Sequence, residues 1–324
     1  MKLGQFFGSI QVLMYLQCNV ALSAPLPTIE IPKPLSDIEI KSWNAVGAEI
    51  GRMRYADFPN FKVYNNNVIP NIDWLPAIKL VKIDINEFRQ VLAPRVGFAL
   101  DLSNIELDDA ILEKIITLKS LRCLNISNCQ VTDASLKTIA KLSNITYLNL
   151  ANNNITNDGI SILGSMEHLD SLSLAANDID NGAAASVESL RNVLKLSVSS
   201  TKIGDDFVAS LVKVINLNEL FLNATEISNK CAFHLSSLKQ LTVLHLYNSE
   251  IDDDFIASYK IPLSLHTLNL QNTKVSDVSS GVIKRQSIFK LLNVKNTLMT
   301  QAGVKALRAD MPSCDIISEF KGNK

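Results

Sequence analysis

Apolar side chains recur along this chain at one fixed spacing, the distance from Leu100 to Leu124, as far as position 292. One column of the pattern holds leucine in nine consecutive units, and a second apolar column follows it two residues later. Only an array of stacked structural repeats requires such a regular spacing. The leucine column consists of Leu100, Leu124, Leu148, Leu172, Leu196, Leu220, Leu244, Leu268 and Leu292.

Each unit predicts a short strand followed by a short helix. In residues 121–126 the apolar side chains alternate with others, which is the period of a strand. In residues 131–142 they fall three apart, which indicates a short helix or 3₁₀ turn. The unit reads L-x-x-L-x-L-x-x-N/T-x-I, the signature of leucine-rich repeats. We therefore predict an α/β fold, a right-handed leucine-rich-repeat solenoid of about nine units. Its parallel sheet forms the concave face, and its helices or 3₁₀ turns form the convex face.

An Asp or Asn precedes each helical segment, where a side-chain oxygen can accept a hydrogen bond from the first free amides. We predict that this row caps the helices. Calcium binding is the alternative, and it is disfavoured because the carboxylates stand one repeat apart whereas calcium needs 6–8 oxygens around one point. The row is Asp109, Asp133, Asn157, Asn181, Asp205, Asn229, Asp253 and Asp277.

A second polar column follows each strand, inside the turn. Small donors and acceptors at this place can satisfy buried loop backbone that no strand partner reaches, so a structural role is expected. The column is Cys129, Asn153, Asn177, Thr201, Thr225, Ser249, Thr273 and Thr297.

The chain divides into five predicted segments. Residues 1–23 resemble a secretory signal peptide, with an apolar stretch before Ala21-Leu-Ser23; an uncleaved membrane anchor is the alternative. The stretch is too short and polar for a typical membrane span, so none is expected in the mature chain. Residues 24–35 form a proline-rich linker, residues 36–96 an N-terminal cap region, residues 97–310 the repeats, and residues 311–324 a C-terminal cap and tail. The expected location is secreted, or in the periplasm or cell envelope.

The predicted N-terminal cap is helical. Ser36 and Glu39 match a capping box, and Ile40, Trp43, Val46, Ile50 and Met53 follow at helical spacing. The cap would shield the open edge of the first strand. Residues 58–96 are otherwise irregular, with a strand-like segment from Ile78 to Ile83.

Composition removes several classes of function. The net charge of −1 gives no reason to expect a nucleic-acid partner. The four cysteines beyond the predicted signal form no C-x-x-C pair, so neither a disulfide framework nor a zinc site is indicated. No metal or cofactor is expected.

Four segments carry a resemblance to a known family. They are the units Val131-Thr-Asp-Ala-Ser-Leu136 and Ile155-Thr-Asn-Asp-Gly-Ile160, the lead-in at residues 43–51 and the ending at residues 306–316. Together they resemble bacterial leucine-rich-repeat proteins of the planctomycete type, which implies the fold and a role in binding other proteins. Cys129 alone gives a weaker similarity to substrate adaptors of ubiquitin ligases, which a secretory signal would contradict.

Function is expected on the concave face, where strand side chains between the buried leucines are directed. Most of these positions are small and polar. Phe221, His245 and Tyr247 form an aromatic group in adjacent units, and aromatic groups on a polar surface are typical of binding hot spots. The candidate partner-binding residues are Tyr147, Lys195, Glu219, Phe221, Val243, His245 and Tyr247.

Catalysis is not expected. Only His245 among the four histidines faces the concave side, and no Ser, Cys or carboxylate completes a nucleophile arrangement with it, although Glu219 could orient its ring. No catalytic residues are therefore assigned. The sequence predicts a non-catalytic protein-binding module. A binder of carbohydrate or of a cell-envelope polymer is the alternative, because aromatic residues beside Asn and Gln also suit saccharides.

Overall fold

The computed structural model describes residues 33–54, 57, 59–60, 62–64, 74–214, 216–285 and 288–320. The chain divides at Ile31, and its second unit is Pro32–Lys324. The predicted signal peptide and the linker up to residue 32 lie outside the described residues. The last linker residue, Leu35, is buried against the main core.

Among the described residues, one sheet of 13 strands forms the framework of the second unit, in the order β13-β12-β11-β10-β9-β8-β7-β6-β5-β4-β3-β1-β2. From β3 to β13 all neighbours are parallel, whereas β1 is antiparallel to both β2 and β3. The strands are β1 (Glu49–Arg54), β2 (Val63–Tyr64), β3 (Trp74–Lys79), β4 (Phe98–Asp101), β5 (Leu121–Asn125), β6 (Tyr147–Asn149), β7 (Ser171–Ser173), β8 (Lys195–Ser197), β9 (Glu219–Phe221), β10 (Val243–His245), β11 (Thr267–Asn269), β12 (Leu291–Asn293) and β13 (Asp315–Ile317).

Short helices connect the strands. They are α1 (Asp37–Asn44), α2 (Ile85–Phe88), α3 (Asp109–Ile115), α4 (Asp133–Ile139), α5 (Asn157–Leu163), α6 (Asp205–Ser210), α7 (Cys231–Leu235), α8 (Asp253–Ser258), α9 (Ser280–Ile283) and α10 (Gln301–Asp310). The segments Asn181–Ala185, Val187–Leu190, Leu211–Lys213 and Asp277–Ser279 are 3₁₀ turns.

Stacking of the units in sequence order confirms the predicted solenoid. Leu244 in β10 pairs in register with Leu220 in β9 and Leu268 in β11, its equivalents in the preceding and following units. The leucine column is completely buried, and it packs with the apolar helix residues into one continuous core. A strand of three residues cannot be stable alone, so stability arises from the interfaces between units.

The polar turn column has the structural role that the sequence predicts. The side chain of Asn153 accepts hydrogen bonds from the backbone N of Cys129 and Val131 through Oδ1, both at 2.9 Å. Its Nδ2 donates to the carbonyls of Ile126, Leu150 and Ala151. Thr201, in the same column, satisfies the backbone with a single hydrogen bond, in which its Oγ1 donates to the carbonyl of Val198 at 2.6 Å.

The predicted row of helix caps is wrong by one residue. Side-chain caps are made by the preceding residue, as at Asp108 and Thr156. Except for Asn229, the row instead begins the helix or 3₁₀ turn, and from Asp133 onward its side chains bind the following repeat. Asp133, for example, accepts hydrogen bonds from the backbone N of Thr156 at 3.1 Å and from Oγ1 of Thr156 at 2.6 Å. These side chains therefore join successive repeats.

The N-terminal cap contains less helix than its sequence predicts. The capping box is present, since Ser36 Oγ accepts from Glu39 N and the Glu39 carboxylate accepts from Ser36 N. Helix α1 nevertheless ends at Asn44, because the chain turns at Gly47 with a φ of 75°. Ile50 and Met53 therefore lie in strand β1, which covers the edge of β3 by antiparallel pairing. The prediction of a helical spacing as far as Met53 is wrong.

Two other element boundaries differ from the prediction. The strand expected at Ile78–Ile83 is β3 and begins at Trp74, although Pro76 lies within it and faces Arg52 of β1. At the other end, the predicted C-terminal cap contains a further parallel strand, β13, which follows α10 and pairs with β12. The fold thus continues the sheet beyond the last regular unit.

Candidate functional site

The concave face is the sheet surface opposite the helices, and a second apolar cluster lies on it, separate from the main core. This cluster includes Met53, Leu75, Ala77, Ala99, Cys123, Tyr147 and Phe221, with Val63 and Val243 packed against it. Alternation along each strand explains the separation: Leu148 enters the main core, while Tyr147 belongs to the second cluster. The concave face is therefore apolar in parts.

Five of the seven candidate residues lie on three neighbouring strands, β8 to β10. Phe221 in β9 is the register partner of His245 in β10. Glu219 in β9 has Lys195 as its register partner in β8 and Val243 as its register partner in β10. Tyr247 follows β10 by two residues, and Asn223 Oδ1 accepts a hydrogen bond from its backbone N at 3.2 Å. We define the docking patch as Lys195, Glu219, Phe221, Val243, His245 and Tyr247.

The aromatic centre of the docking patch is the pair Phe221 and His245. Their ring centroids lie 4.7 Å apart at an interplanar angle of 68°, an edge-to-face arrangement. Burial lowers the pKa of His245 to about 4, because a charged imidazolium loses hydration in this position. His245 is consequently neutral at physiological pH.

Phe221 itself is only 4% exposed. The sequence-based expectation of an exposed phenylalanine ring is therefore wrong. Its ring packs against His245 and belongs to the second apolar cluster. His245, Val243 and Tyr247 are half-buried and form the accessible uncharged part of the docking patch.

Lys195 and Glu219 form the charged border of the docking patch. Lys195 Nζ lies 2.8 Å from Glu219 Oε1, and both side chains are about one quarter exposed or less, at 26% and 20%. Asp170 adds a further acidic group near Lys195; burial raises its pKa, while the hydrogen bond from Ser171 and the charge of Lys195 oppose that shift. Because Glu219 pairs with Lys195, its carboxylate is already engaged by a cation.

Tyr147 is not part of this group. It lies in β6, is completely buried, and its hydroxyl donates to the backbone carbonyl of Pro59 at 3.1 Å. The expectation of an accessible Tyr147 on the docking surface is therefore wrong. The cause is a long-range contact with the N-terminal cap, which no pattern within the repeats indicates.

Two residues extend the accessible apolar surface toward the C-terminal end. Leu291 in β12 is half-buried and occupies the same column as Val243, two strands away. Ile317 in β13 is 39% exposed and is the register partner of Asn293. The column spacing could have identified Leu291 from the sequence. Ile317 lies one further unit beyond Asn293, but the repeat pattern has decayed there.

The described part of the chain contains no group of three or more His, Cys, Asp or Glu side chains that could hold a metal ion. Its four cysteines are not joined in disulfides, and burial raises the pKa of Cys129 to about 11. Within the same residues, no helix has both the length and the apolar character that crossing a bilayer requires.

Comparisons with known proteins agree with the fold. A family model described as leucine-rich repeat matches residues 117–140 and 141–164. Among solved structures, an internalin from Listeria monocytogenes is similar, with a TM-score of 0.54 and 22% sequence identity; the match covers 74% of this chain and 65% of the internalin. Comparison with curated proteins gave no match. The protein therefore has the architecture of a leucine-rich-repeat solenoid.

Proposed function

We propose that this protein is a non-catalytic binding module that docks another protein on the concave face, through the docking patch and its continuation at Leu291 and Ile317. The single observation that carries the proposal is the half-buried group His245, Val243 and Tyr247, which leaves an uncharged, partly aromatic surface accessible on the concave face. Such a group loses water over a large area at a small cost in side-chain entropy.

The neutral state of His245 supports an apolar contact. A charged imidazolium would oppose desolvation by a partner, whereas the neutral ring supported by Phe221 presents an uncharged surface. Phe221 acts here as a positioning residue. The pair Lys195 and Glu219 provides a polar border, which contributes more to orientation than to affinity.

The proposed partner is a protein that shares the compartment of this chain. If residues 1–23 act as a secretory signal, as their sequence suggests, the protein acts in the periplasm, the cell envelope or the medium. Attachment to the membrane by an uncleaved N-terminal segment is the alternative. The resemblance to planctomycete-type proteins agrees with a bacterial protein that binds other proteins.

The test first captures a partner protein on the full chain. The affinity of the wild type and of two surface variants for that partner is then measured. The double variant Val243→Ser/Tyr247→Ser removes the accessible apolar part of the docking patch. Phe233→Ser is the matched control, because Phe233 is 75% exposed on α7 and lies on the convex face. We expect the double variant to weaken binding by at least tenfold, as for loss of a hot spot, and the control to bind as the wild type does. Equal binding by all three proteins would exclude this surface.

Carbohydrate binding is the second candidate function, and one observation favours it. Asn293 Nδ2 donates to Gln271 Oε1 at 3.2 Å, so amide groups lie side by side near the aromatic residues. A glycan array with the same variants separates the candidates, since saccharide binding that requires Tyr247 would favour this one. A substrate adaptor of ubiquitin ligases is the less favoured third candidate, since it rests on Cys129 alone, whose Sγ donates to the carbonyl of Leu102.

A further inference from the structure

The docking patch continues onto uncharged polar side chains of the next strand. We define the polar row as Thr267, Asn269 and Gln271, which are half-buried on the concave face. Leu270 is buried in the main core, so the alternation of β11 continues through Gln271. The polar row has one neighbouring row on each side, and these rows are Val243, His245 and Tyr247 at β10 and Leu291, Asn293 and Lys295 at β12.

The side-chain oxygens of this region are engaged by the chain itself. Asn269 Oδ1 accepts a hydrogen bond from Gln271 N, and Asn293 Oδ1 accepts one from Lys295 N, both at 3.0 Å. Gln271 Oε1 accepts from Asn293 Nδ2 at 3.2 Å. Asn269 Nδ2 and Gln271 Nε2, in contrast, have no hydrogen-bond partner among the described residues. The polar row therefore presents donors, and a ligand that covers it must offer acceptor oxygens.

The surroundings favour an uncharged acceptor. Across the three rows Lys295 is the only charged side chain, and it is exposed at the border. A carboxylate that lost its water here would need a paired cation. An ion pair with an exposed lysine offsets little of that loss, and Lys195 already pairs with Glu219. An amide carbonyl accepts from the same donors and carries no net charge.

An extended peptide offers carbonyls at the spacing of these donors. Asn269 and Gln271 are two residues apart, and the carbonyls along one edge of an extended peptide also recur at every second residue. If that edge faces the polar row, the peptide side chains point sideways, alternately toward the β10 row and the β12 row. Each of these rows lies about 4.8 Å from the polar row, so side chains on both edges of the peptide reach an apolar or aromatic neighbour.

We propose that the partner segment bound at the docking patch is an uncharged, extended peptide that lies edge-on along the polar row. Two carbonyls on one of its edges accept hydrogen bonds from Asn269 Nδ2 and Gln271 Nε2. Its apolar side chains cover Val243 and His245 on one side and Leu291 on the other. The inference rests on the proposed function, because it names the chemistry of the partner at the same surface.

Asn269→Asp and Gln271→Glu test the donors selectively. Each variant keeps the oxygen that accepts the internal hydrogen bond, and each replaces the outward amide nitrogen by an oxygen that repels a carbonyl. Asn248→Asp is the matched control. It makes the same chemical change at an exposed position beside the rows, and its Oδ1 can still accept from Asn272 Nδ2. Urea denaturation of all three variants checks that the fold is kept.

The probe is a displayed library of random heptapeptides, selected on the full wild-type chain. We expect enriched peptides that lack charged side chains and carry apolar residues at alternate positions. A synthetic peptide of that sequence should bind Asn269→Asp and Gln271→Glu about fivefold more weakly or worse, as for loss of one hydrogen bond. It should bind Asn248→Asp as it binds the wild type. Enrichment of charged peptides, no enrichment, or equal binding by all four proteins would overturn the inference.

Single ester bonds in the selected peptide test the edge-on orientation, because an ester carbonyl is a weaker acceptor than an amide carbonyl. Esters at the two carbonyls that face the polar row should each weaken binding roughly threefold. The ester between them should have no effect, since its carbonyl points away from the sheet. Equal effects at all three positions would contradict this orientation.

The captured partner protein separates this inference from the proposed function. If its binding requires Val243 and Tyr247 but neither Asn269 nor Gln271, the proposed function stands and the edge-on peptide is wrong. If Val243→Ser/Tyr247→Ser leaves its binding unchanged, the proposed function itself fails. Binding of a saccharide that requires Asn269 and Gln271, without any enriched peptide, would assign the polar row to the carbohydrate candidate and exclude the peptide as its occupant.

Discussion

Asn229 and Asp252 bind each other across two successive repeats, with Asn229 Nδ2 donating to Asp252 Oδ1 at 2.7 Å. In return, the backbone N of Asp252 donates to Asn229 Oδ1 at 3.1 Å. Asn157 and Asp180 form the same pair earlier in the chain. Where the first residue is Asp instead, the second carries a hydroxyl, as in Asp133 with Thr156, Asp205 with Ser228, Asp253 with Ser276 and Asp277 with Thr300. Each pair thus joins a donor to a carboxylate.

This rule predicts a specific incompatibility. Asn229→Asp places two carboxylates face to face and removes the Nδ2 donor, so we expect a loss of about 1–2 kcal/mol in the free energy of unfolding, measured by urea denaturation. The double variant Asn229→Asp/Asp252→Ser recreates the pair seen at Asp253 and Ser276 and should recover most of the loss. Asn154→Asp, at an exposed position, adds the same charge and serves as control. Absence of recovery in the double variant would contradict the pairing rule.

Asp253 predicts a pH-dependent contribution to stability. Burial raises its pKa, but hydrogen bonds from Ser276 and Ser279 outweigh that effect and lower the pKa below its ordinary value of 3.8. A lowered folded-state pKa means that the stabilisation is complete well above pH 4 and is lost as pH falls below it. Asp253→Asn should therefore be about 1–2 kcal/mol less stable than wild type at pH 7, and this difference should shrink at pH 3. Asp206→Asn, on the exposed side of α6, provides the control for loss of one charge. A difference that stays constant with pH would argue against this origin.

The turn column predicts unequal costs for its members. Asn153→Ala leaves the backbone N of Cys129 and Val131 and the carbonyl of Ile126 without their partner, so a loss of about 3 kcal/mol or more is expected. Thr201→Val removes one hydrogen bond from a residue of similar shape and should cost about 1 kcal/mol. Thermal and urea denaturation of both variants would measure the contrast. Comparable losses would mean that the Asn side chain acts mainly by filling space.

A stabilising substitution is expected at Ala176. Its φ of 54° lies in the left-handed region, which Asn and Gly tolerate better than Ala does. At the preceding equivalent positions, Asn152 Nδ2 donates to Asn128 Oδ1 and Asn128 Nδ2 donates to Asn104 Oδ1, both at 2.8 Å. Ala176→Asn should extend this ladder and raise the free energy of unfolding by about 0.5–1 kcal/mol. Asn152→Ala, which interrupts the ladder, should act in the opposite direction, and a stabilising Asn152→Ala would refute the argument.

His245 predicts acid sensitivity of the docking patch. Its folded-state pKa of about 4 lies below the ordinary histidine value of 6.5, so folding favours the neutral ring. The resulting stabilisation is present above pH 6.5 and is lost as pH falls from 6.5 toward 4. His245→Phe removes this titration while keeping a ring beside Phe221. The wild type should therefore lose stability relative to the variant across this interval in urea denaturation series. Parallel pH profiles would contradict the assignment.

Much of the framework followed from local periodicity. Leu244 and its equivalents recur at one constant interval, and such spacing permits only a stack of units whose strands lie side by side. The role of the turn column could also be predicted from the sequence, because a polar side chain between buried positions has few uses except to form hydrogen bonds with the nearby backbone. In both cases the residues that interact are set by the repeat itself.

The tertiary structure decided what depends on contacts between distant residues. Asp133 resembles a helix cap in sequence, and only the position of Thr156 in the next repeat makes it a cross-link. Met53 continues a helical spacing, yet pairing with Leu75 places it in a strand. Tyr147 lies on the predicted face and is buried because Pro59 reaches it. Side-chain spacing fixes which face a residue occupies, whereas its exposure and partners depend on segments that meet only after folding.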